Sequence, residues 1–124
     1  MLEGVGIDLG ESMLIPDISV VRAEPAVEGV PLFTPADVVL AVEIVSPLSR
    51  KMDRLVKPAA YAEAGIASYW RVELDAASLP MVVVHDLADG GYRESAVVPA
   101  GAEVMLDQPY PLTLAPATLV GPRA

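Results

Sequence analysis

The segment Asp37–Val45, DVVLAVEIV, sets the first limit on what this chain can fold into. Side chains of a strand point alternately to its two faces, and here both sets are apolar apart from Glu43. Such a strand offers no face to water, so it belongs at the centre of a sheet covered on both sides. The run ends at Ser46-Pro47, far short of the roughly 20 apolar residues needed to cross a bilayer. A mean hydropathy of +0.47 over 124 residues therefore reads as one core, with apolar surface left to bury against a second copy. The opening MLEGVGIDLG carries Glu3 and Asp8 and no basic stretch, unlike a signal peptide. A soluble cytoplasmic protein without membrane contact, forming a homodimer, is expected.

Twelve prolines and nine glycines divide the remainder into short pieces. Gly4–Asp8 reads as an edge strand closed by a turn at Gly10-Glu11-Ser12. Met13–Arg22 reads as a second strand, interrupted by Pro16-Asp17 near its start. Ala23–Ala36, with Pro25, Gly29, Pro31 and Pro35, reads as a loop. The main helix lies between Ser49 and Ala64, with Gly65 placed as the glycine that ends it. Pro58 lacks an N–H, so the regular helix is expected to begin about one turn before it. Asp53 then falls near the N-cap, and Ser49–Met52 forms an irregular approach. Ser68–Leu74 and Met81–Leu87 form a hairpin, Tyr92–Val98 extends it after the turn at Asp89-Gly90-Gly91, and a last strand near Glu103–Leu106 precedes a proline-rich PYPLTLAP segment. The order β-β-β-α-β-β-β predicts a single α/β (α+β) domain over residues 1–124, a mixed sheet with one main helix packed on it.

The absence of cysteine removes disulfides, thiolate zinc sites and cysteine nucleophiles. One histidine, His85, removes any site needing two imidazoles, and His85 itself reads as a strand-face residue. Tyr69 and Trp70 read as core and interface aromatics. A formal charge of −9 disfavours a general nucleic-acid coat or an anionic membrane surface as partner.

Against that background Glu43 is informative. It is the sole charge between Val38 and Val45 and shares a face with Val39, Ala41 and Val45, where an unpartnered carboxylate would cost several kcal/mol. Asp17 alone would be an ordinary turn residue. If the two strands are neighbours, however, Asp17 and Glu43 stand about 5 Å apart on one face. At an effective dielectric of 20 they repel by roughly 3 kcal/mol, which a divalent cation relieves, and oxygen donors alone suit Mg2+ or Mn2+. Lys57 lies four residues after Asp53 and four before Tyr61, along one side of a helix. Half of the eight basic residues, Arg50, Lys51, Arg54 and Lys57, fall directly after the Glu43 strand, the one region suited to an anionic substrate.

The order Pro16-Asp17, then VEIVSP, then DRLVKPAAYAEAGIASYW resembles the Uma2 family of the PD-(D/E)XK nuclease-like superfamily. The likeness runs from about Pro16 to Asp86, and more loosely to PLTLAPATL. It implies a restriction-endonuclease-like fold and a Mg2+-dependent endonuclease that hydrolyses DNA phosphodiester bonds. By that resemblance Asp17 and Glu43 bind Mg2+ (or Mn2+), and Lys57 positions or deprotonates the attacking water. Asp53 becomes a partner for Lys57. The usual nuclease lysine stands two residues after the second acid, which is Val45 here, and Lys57 supplies it from the following helix. The family's N-terminal helical segment, with its further Glu, precedes the region matched, so this chain is expected to be N-terminally truncated relative to the family. A catalytically silent member of the fold, acting as a dimeric binding module, is the alternative.

Overall fold

The DVVLAVEIV run forms the strand it predicts, third in a sheet of six. The computed structural model describes residues 2–3, 6–9, 13–21, 32–46, 52–74 and 77–118. In chain order its strands are β1 Leu2–Glu3, β2 Gly6–Asp8, β3 Met13–Leu14, β4 Ile18–Val21, β5 Leu32–Phe33, β6 Val38–Ile44, β7 Ser68–Leu74, β8 Pro80–Ala88, β9 Gly91–Val98, β10 Val104–Leu106 and β11 Leu112–Leu114. Among the described residues one α-helix, α1, spans Lys57–Glu63 and is entered through a π-helical turn at Met52–Val56. The main sheet has the order β1-β4-β6-β7-β8-β9. Only β6 and β7 are parallel in it. A parallel pair cannot be joined by a tight turn, and the π turn with α1 lies in the crossover between them.

Both faces of the sheet are covered, as the composition of β6 requires. One face buries Leu40, Val42, Trp70, Val72, Val82, Val84 and Val98, closed by Leu114 of the β10–β11 hairpin. The other buries Ala41 and Tyr69 beneath Tyr61 and Ile66 of the helical layer, with Ile7 and Phe33 of a small sheet ordered β3-β2-β5. Val39 leaves the face it was expected to share with Glu43 and packs on the Trp70 side. The cause is a β-bulge: Val20 pairs with Leu40 but Val21 with Val38, so Val39 is an extra residue with no partner in β4.

Three other expectations are corrected. Met13–Arg22 is not one strand: β3 and β4 belong to different sheets and Ile15–Asp17 turns between them, with Pro16 buried at the handover. Proline cannot donate to a ladder, so a break there follows from its chemistry. Part of the loop assigned to Ala23–Ala36 is strand β5, which pairs in parallel with β2. PYPLTLAP contains β11, antiparallel to β10. The turn at Gly10–Ser12, and Arg22 at the end of the second expected strand, lie outside the described residues.

The helix ends as its sequence indicates. Gly65 adopts φ 86°, its N–H donates to the Ala62 carbonyl at 3.0 Å, and the Ile66 N–H donates to the Tyr61 carbonyl at 3.1 Å. This is a Schellman termination, with the apolar pair Tyr61 and Ile66 buried together. Its start differs from the expected cap: Val56, not Asp53, is the N-cap residue, and Asp53 sits within the π turn.

Candidate active site

Antiparallel pairing of β4 with β6 sets Ile18 opposite Val42 and Ser19 opposite Ala41. Extended by one residue, that register brings Asp17 opposite Glu43. The exposed Asp17 carboxylate accepts a hydrogen bond from the Ile44 N–H at 2.6 Å, which fixes it at the end of β6. The two acids singled out in the sequence therefore meet at neighbouring strand ends.

Glu43 is 1% exposed. The Tyr61 hydroxyl donates to its Oε2 at 2.8 Å, and Lys57 Nζ lies 3.3 Å from its Oε1. Residues four apart share a helix face, so the first turns of α1 present both groups to one carboxylate. The ammonium contact is longer than a charge-assisted hydrogen bond and acts mainly through charge. Among the described residues Oε1 accepts no hydrogen bond of good geometry. Burial drives the Glu43 pKa up, the Tyr61 hydroxyl and the Lys57 charge pull it down, and Asp17 adds to the rise; the net position stays above the ordinary carboxylate value. The structure thus joins Asp17, Glu43 and Lys57 in one cluster and leaves it short of positive charge.

A second cluster adjoins the first. In the β6–β7 ladder Arg71 stands opposite Glu43. Two residues on, Glu73 is 7% exposed and takes hydrogen bonds from Arg54 and from Arg71, the latter through Nε at 2.9 Å. Burial raises the Glu73 pKa, but the two guanidiniums outweigh it and hold the carboxyl below its usual range. Glu73 and Arg71 were not singled out from sequence. The available signal was the alternation in SYWRVEL, which puts Arg71 and Glu73 on the same face as Tyr69.

His85 is a strand-face residue, as expected: its Nδ1 lies 3.2 Å from the Tyr69 carbonyl, and its ring packs against those of Tyr69 and Tyr92, which also stack on each other. Burial lowers its pKa. Tyr69 is fully buried and Trp70 nearly so. Arg50, Lys51 and the Asp53 side chain lie outside the described residues, so a contact between Asp53 and Lys57 falls there too.

The donors suit a hard cation better than zinc. They are two carboxylates, one of them with a buried oxygen that accepts no hydrogen bond, and Mg2+ is commonly held by one or two carboxylates plus water. Among the described residues no group of three or more His, Cys, Asp or Glu gathers as a fuller cage. Nor is any described helix long and apolar enough to cross a membrane.

No curated protein sequence matches the chain. A family model does, over residues 2–118, the span that includes the sheet, the helix and every member of the carboxylate–lysine cluster. The chain belongs to the Uma2 family, described as putative restriction endonuclease, and has the nuclease-like mixed sheet expected of it.

Proposed function

We propose that this protein hydrolyses DNA phosphodiester bonds with Mg2+ or Mn2+ as cofactor, held by Asp17 and Glu43. The observation that carries the reading is the convergence of a buried, under-neutralised Glu43, an adjacent Asp17 and an ammonium from a separate element. Phosphodiester hydrolysis needs those parts: anionic ligands for a cation, and a fixed positive charge beside the phosphate. Asp17 and Glu43 would hold the cation, which would polarise the phosphate as a Lewis acid and acidify a water. Lys57 offsets charge on the phosphate oxygens and orients the attacking water. Tyr61 holds the Glu43 carboxylate in one rotamer, and the Ile44 N–H does the same for Asp17. As the water oxygen bonds to phosphorus and gives up a proton to solvent, the bond to the leaving sugar oxygen breaks and that oxygen takes a proton from solvent. The local cations Arg54, Lys57 and Arg71 favour a short contact with the strand over a tight, extended one, since the whole chain is strongly acidic.

The test is cleavage of a labelled oligonucleotide, duplex and single-stranded, with Mg2+ and with Mn2+. Wild-type protein should cut at least one of them, and Asp17→Asn, Glu43→Gln and Lys57→Met should each lower the rate by about a hundredfold or more, in keeping with loss of a positioned electrostatic group. Cleavage that survives in Glu43→Gln overturns the assignment. The second reading, a silent fold used as a dimeric binding module, is favoured by one observation: Tyr61 and Lys57 already engage Glu43, as a purely structural ion pair would have it. Calorimetric titration separates the two, because the silent module shows no Mg2+ or Mn2+ site at millimolar metal.

A further inference from the structure

Beside the Glu43 centre, on the flank of α1 that faces away from Lys57 and Tyr61, lies a cavity of about 710 Å3. That volume is in the range of small-molecule sites. The helix contributes the small side chains of Pro58, Ala59 and Ala62, and Glu63 at its end adds an exposed carboxylate to the lining. The strands contribute the rings of His85 and Tyr92. The Tyr92 hydroxyl donates to the Ile66 carbonyl at 2.7 Å and is thereby fixed. The turn between β8 and β9 completes the lining with Gly90 and Gly91, both at positive φ and without side chains. A cavity lined both by small aliphatic side chains and by aromatic rings suits a planar ring.

The polar groups narrow the choice of ring. Arg71 lines the cavity and, among the described residues, bonds only through Nε, to Glu73. Its terminal nitrogens form a two-pronged donor. Asp89, an exposed carboxylate on the β8–β9 turn, lines the same cavity and can only accept. Cationic donors and a carboxylate acceptor together argue against a simple phosphate sink. They match a heterocycle with an acceptor pair on one edge and a donor pair on another. Guanine has this pattern: O6 and N7 accept a guanidinium bidentately, while N1–H and the exocyclic amine donate to a carboxylate. Adenine offers a donor where Arg71 needs an acceptor and an acceptor where Asp89 needs a donor. Arg54, also lining the cavity and with a side chain 43% exposed, supplies charge for an attached phosphate.

We propose that this cavity is a guanine-nucleotide site, with Arg71 and Asp89 reading opposite edges of the base among the small α1 side chains and the rings of His85 and Tyr92. The assignment goes beyond the nuclease reading: it shares Arg54 and Arg71 with the basic surface of that reading but involves neither Asp17 nor Glu43. It is tested by calorimetric titration of the metal-free full chain with GMP, IMP and AMP. GMP should bind at least tenfold more tightly than AMP, the discrimination expected of one bidentate pair. IMP, which lacks the exocyclic amine, should fall between them. Asp89→Asn, an exposed turn substitution, should remove most of the preference for GMP over AMP. Ala62→Trp should fill the cavity and abolish binding. Absence of GMP binding, equal affinity for GMP and AMP, or an Asp89→Asn variant with unchanged preference overturns the proposal. GMP binding by a protein that cuts no DNA supports this site while refuting the nuclease, and guanine-blind cutting without GMP binding does the reverse.

Discussion

Replacing Lys57 by Met isolates the electrostatic part of the candidate site, because the aliphatic stem is kept and only the ammonium is lost. The wild-type separation of 3.3 Å between Nζ and Oε1 corresponds to about 5 kcal/mol of attraction at an effective dielectric of 20. The Lys57 side chain is 21% exposed, so water screens part of this, and about 3 kcal/mol is the expected loss at pH 8, the low end for breaking a buried pair. The loss has a distinctive pH dependence. In the wild type the Glu43 pKa already lies above its unfolded value, so its stabilising contribution is full below that unfolded value and fades as pH rises through the folded one. Removing the ammonium raises the folded pKa further and widens that window upward. The variant should therefore be hurt less at pH 5 than at pH 8, because at pH 5 Glu43 can take up a proton instead of standing charged. Urea unfolding followed by fluorescence of the sole tryptophan, the buried Trp70, measures both values. Adding Glu43→Gln to Lys57→Met should restore most of the stability, since no buried charge is then left alone. Equal losses at the two pH values, or no rescue by Glu43→Gln, would refute the view of Glu43 as a buried carboxylate that depends on Lys57.

Tyr61→Phe removes the hydroxyl that donates to Glu43 Oε2 and should cost about 1.5–3 kcal/mol in the same urea assay, the range for hydrogen bonds to charged groups. Its midpoint should shift without a change in slope. Glu73→Gln leaves Arg54 and Arg71 without their shared carboxylate. Because the folded Glu73 pKa is depressed, its contribution is present above the unfolded value and lost as pH falls through the folded one. The stability gap between wild type and Glu73→Gln should thus be full near neutrality and shrink below about pH 4.5. A gap of constant size across that range would show that the two guanidiniums do not hold the carboxylate.

What the sequence reveals about this molecule follows the strength of its local periodicities. DVVLAVEIV and MVVVHDL are long enough for alternation to specify both strand and burial, and both strands stand where they are expected. β3, β5 and β11 run for only two or three residues and carry no period of their own; β5 owes its pairing to β2, a chain segment far away. The face of Val39 depends on a bulge, set by how β4 meets β6, which no single-strand pattern contains. The same division holds at the site. Glu43 is visible because a charge in an apolar run demands a partner, and Lys57 with Tyr61 because spacing by four puts them on one helix face. Asp17 needs the β4–β6 register to become more than a turn residue. Arg71 and Glu73 stay hidden, since a charged pair in a strand usually means an exposed face, whereas here Arg54 closes over the Glu73 carboxylate.

At the helix entry, a residue that disfavours a helix interior determines the geometry of the helix start. In a regular α-helix running through Met52–Glu63, the ring of Pro58 would collide with the carbonyl four residues earlier, that of Arg54, and would leave it without a donor. The wider π turn at Met52–Val56 moves that carbonyl aside, and the α-helix begins at Lys57 with Pro58 in the first turn, where a missing N–H costs little. Lys57 and Tyr61 then share a regular α segment and reach Glu43 together. Pro58→Ala tests this account. Alanine restores a donor for the Arg54 carbonyl, worth about 1 kcal/mol. It also frees the unfolded chain, which costs about 0.4–1 kcal/mol. Net stability should therefore change by less than about 1 kcal/mol, while helical circular dichroism rises as the π turn relaxes toward α. Because Lys57 and Tyr61 keep their spacing of four, the pH-dependent penalty of Lys57→Met should persist in the Pro58→Ala background. Its disappearance would mean that the proline, and not the helical spacing, brings the ammonium to the carboxylate.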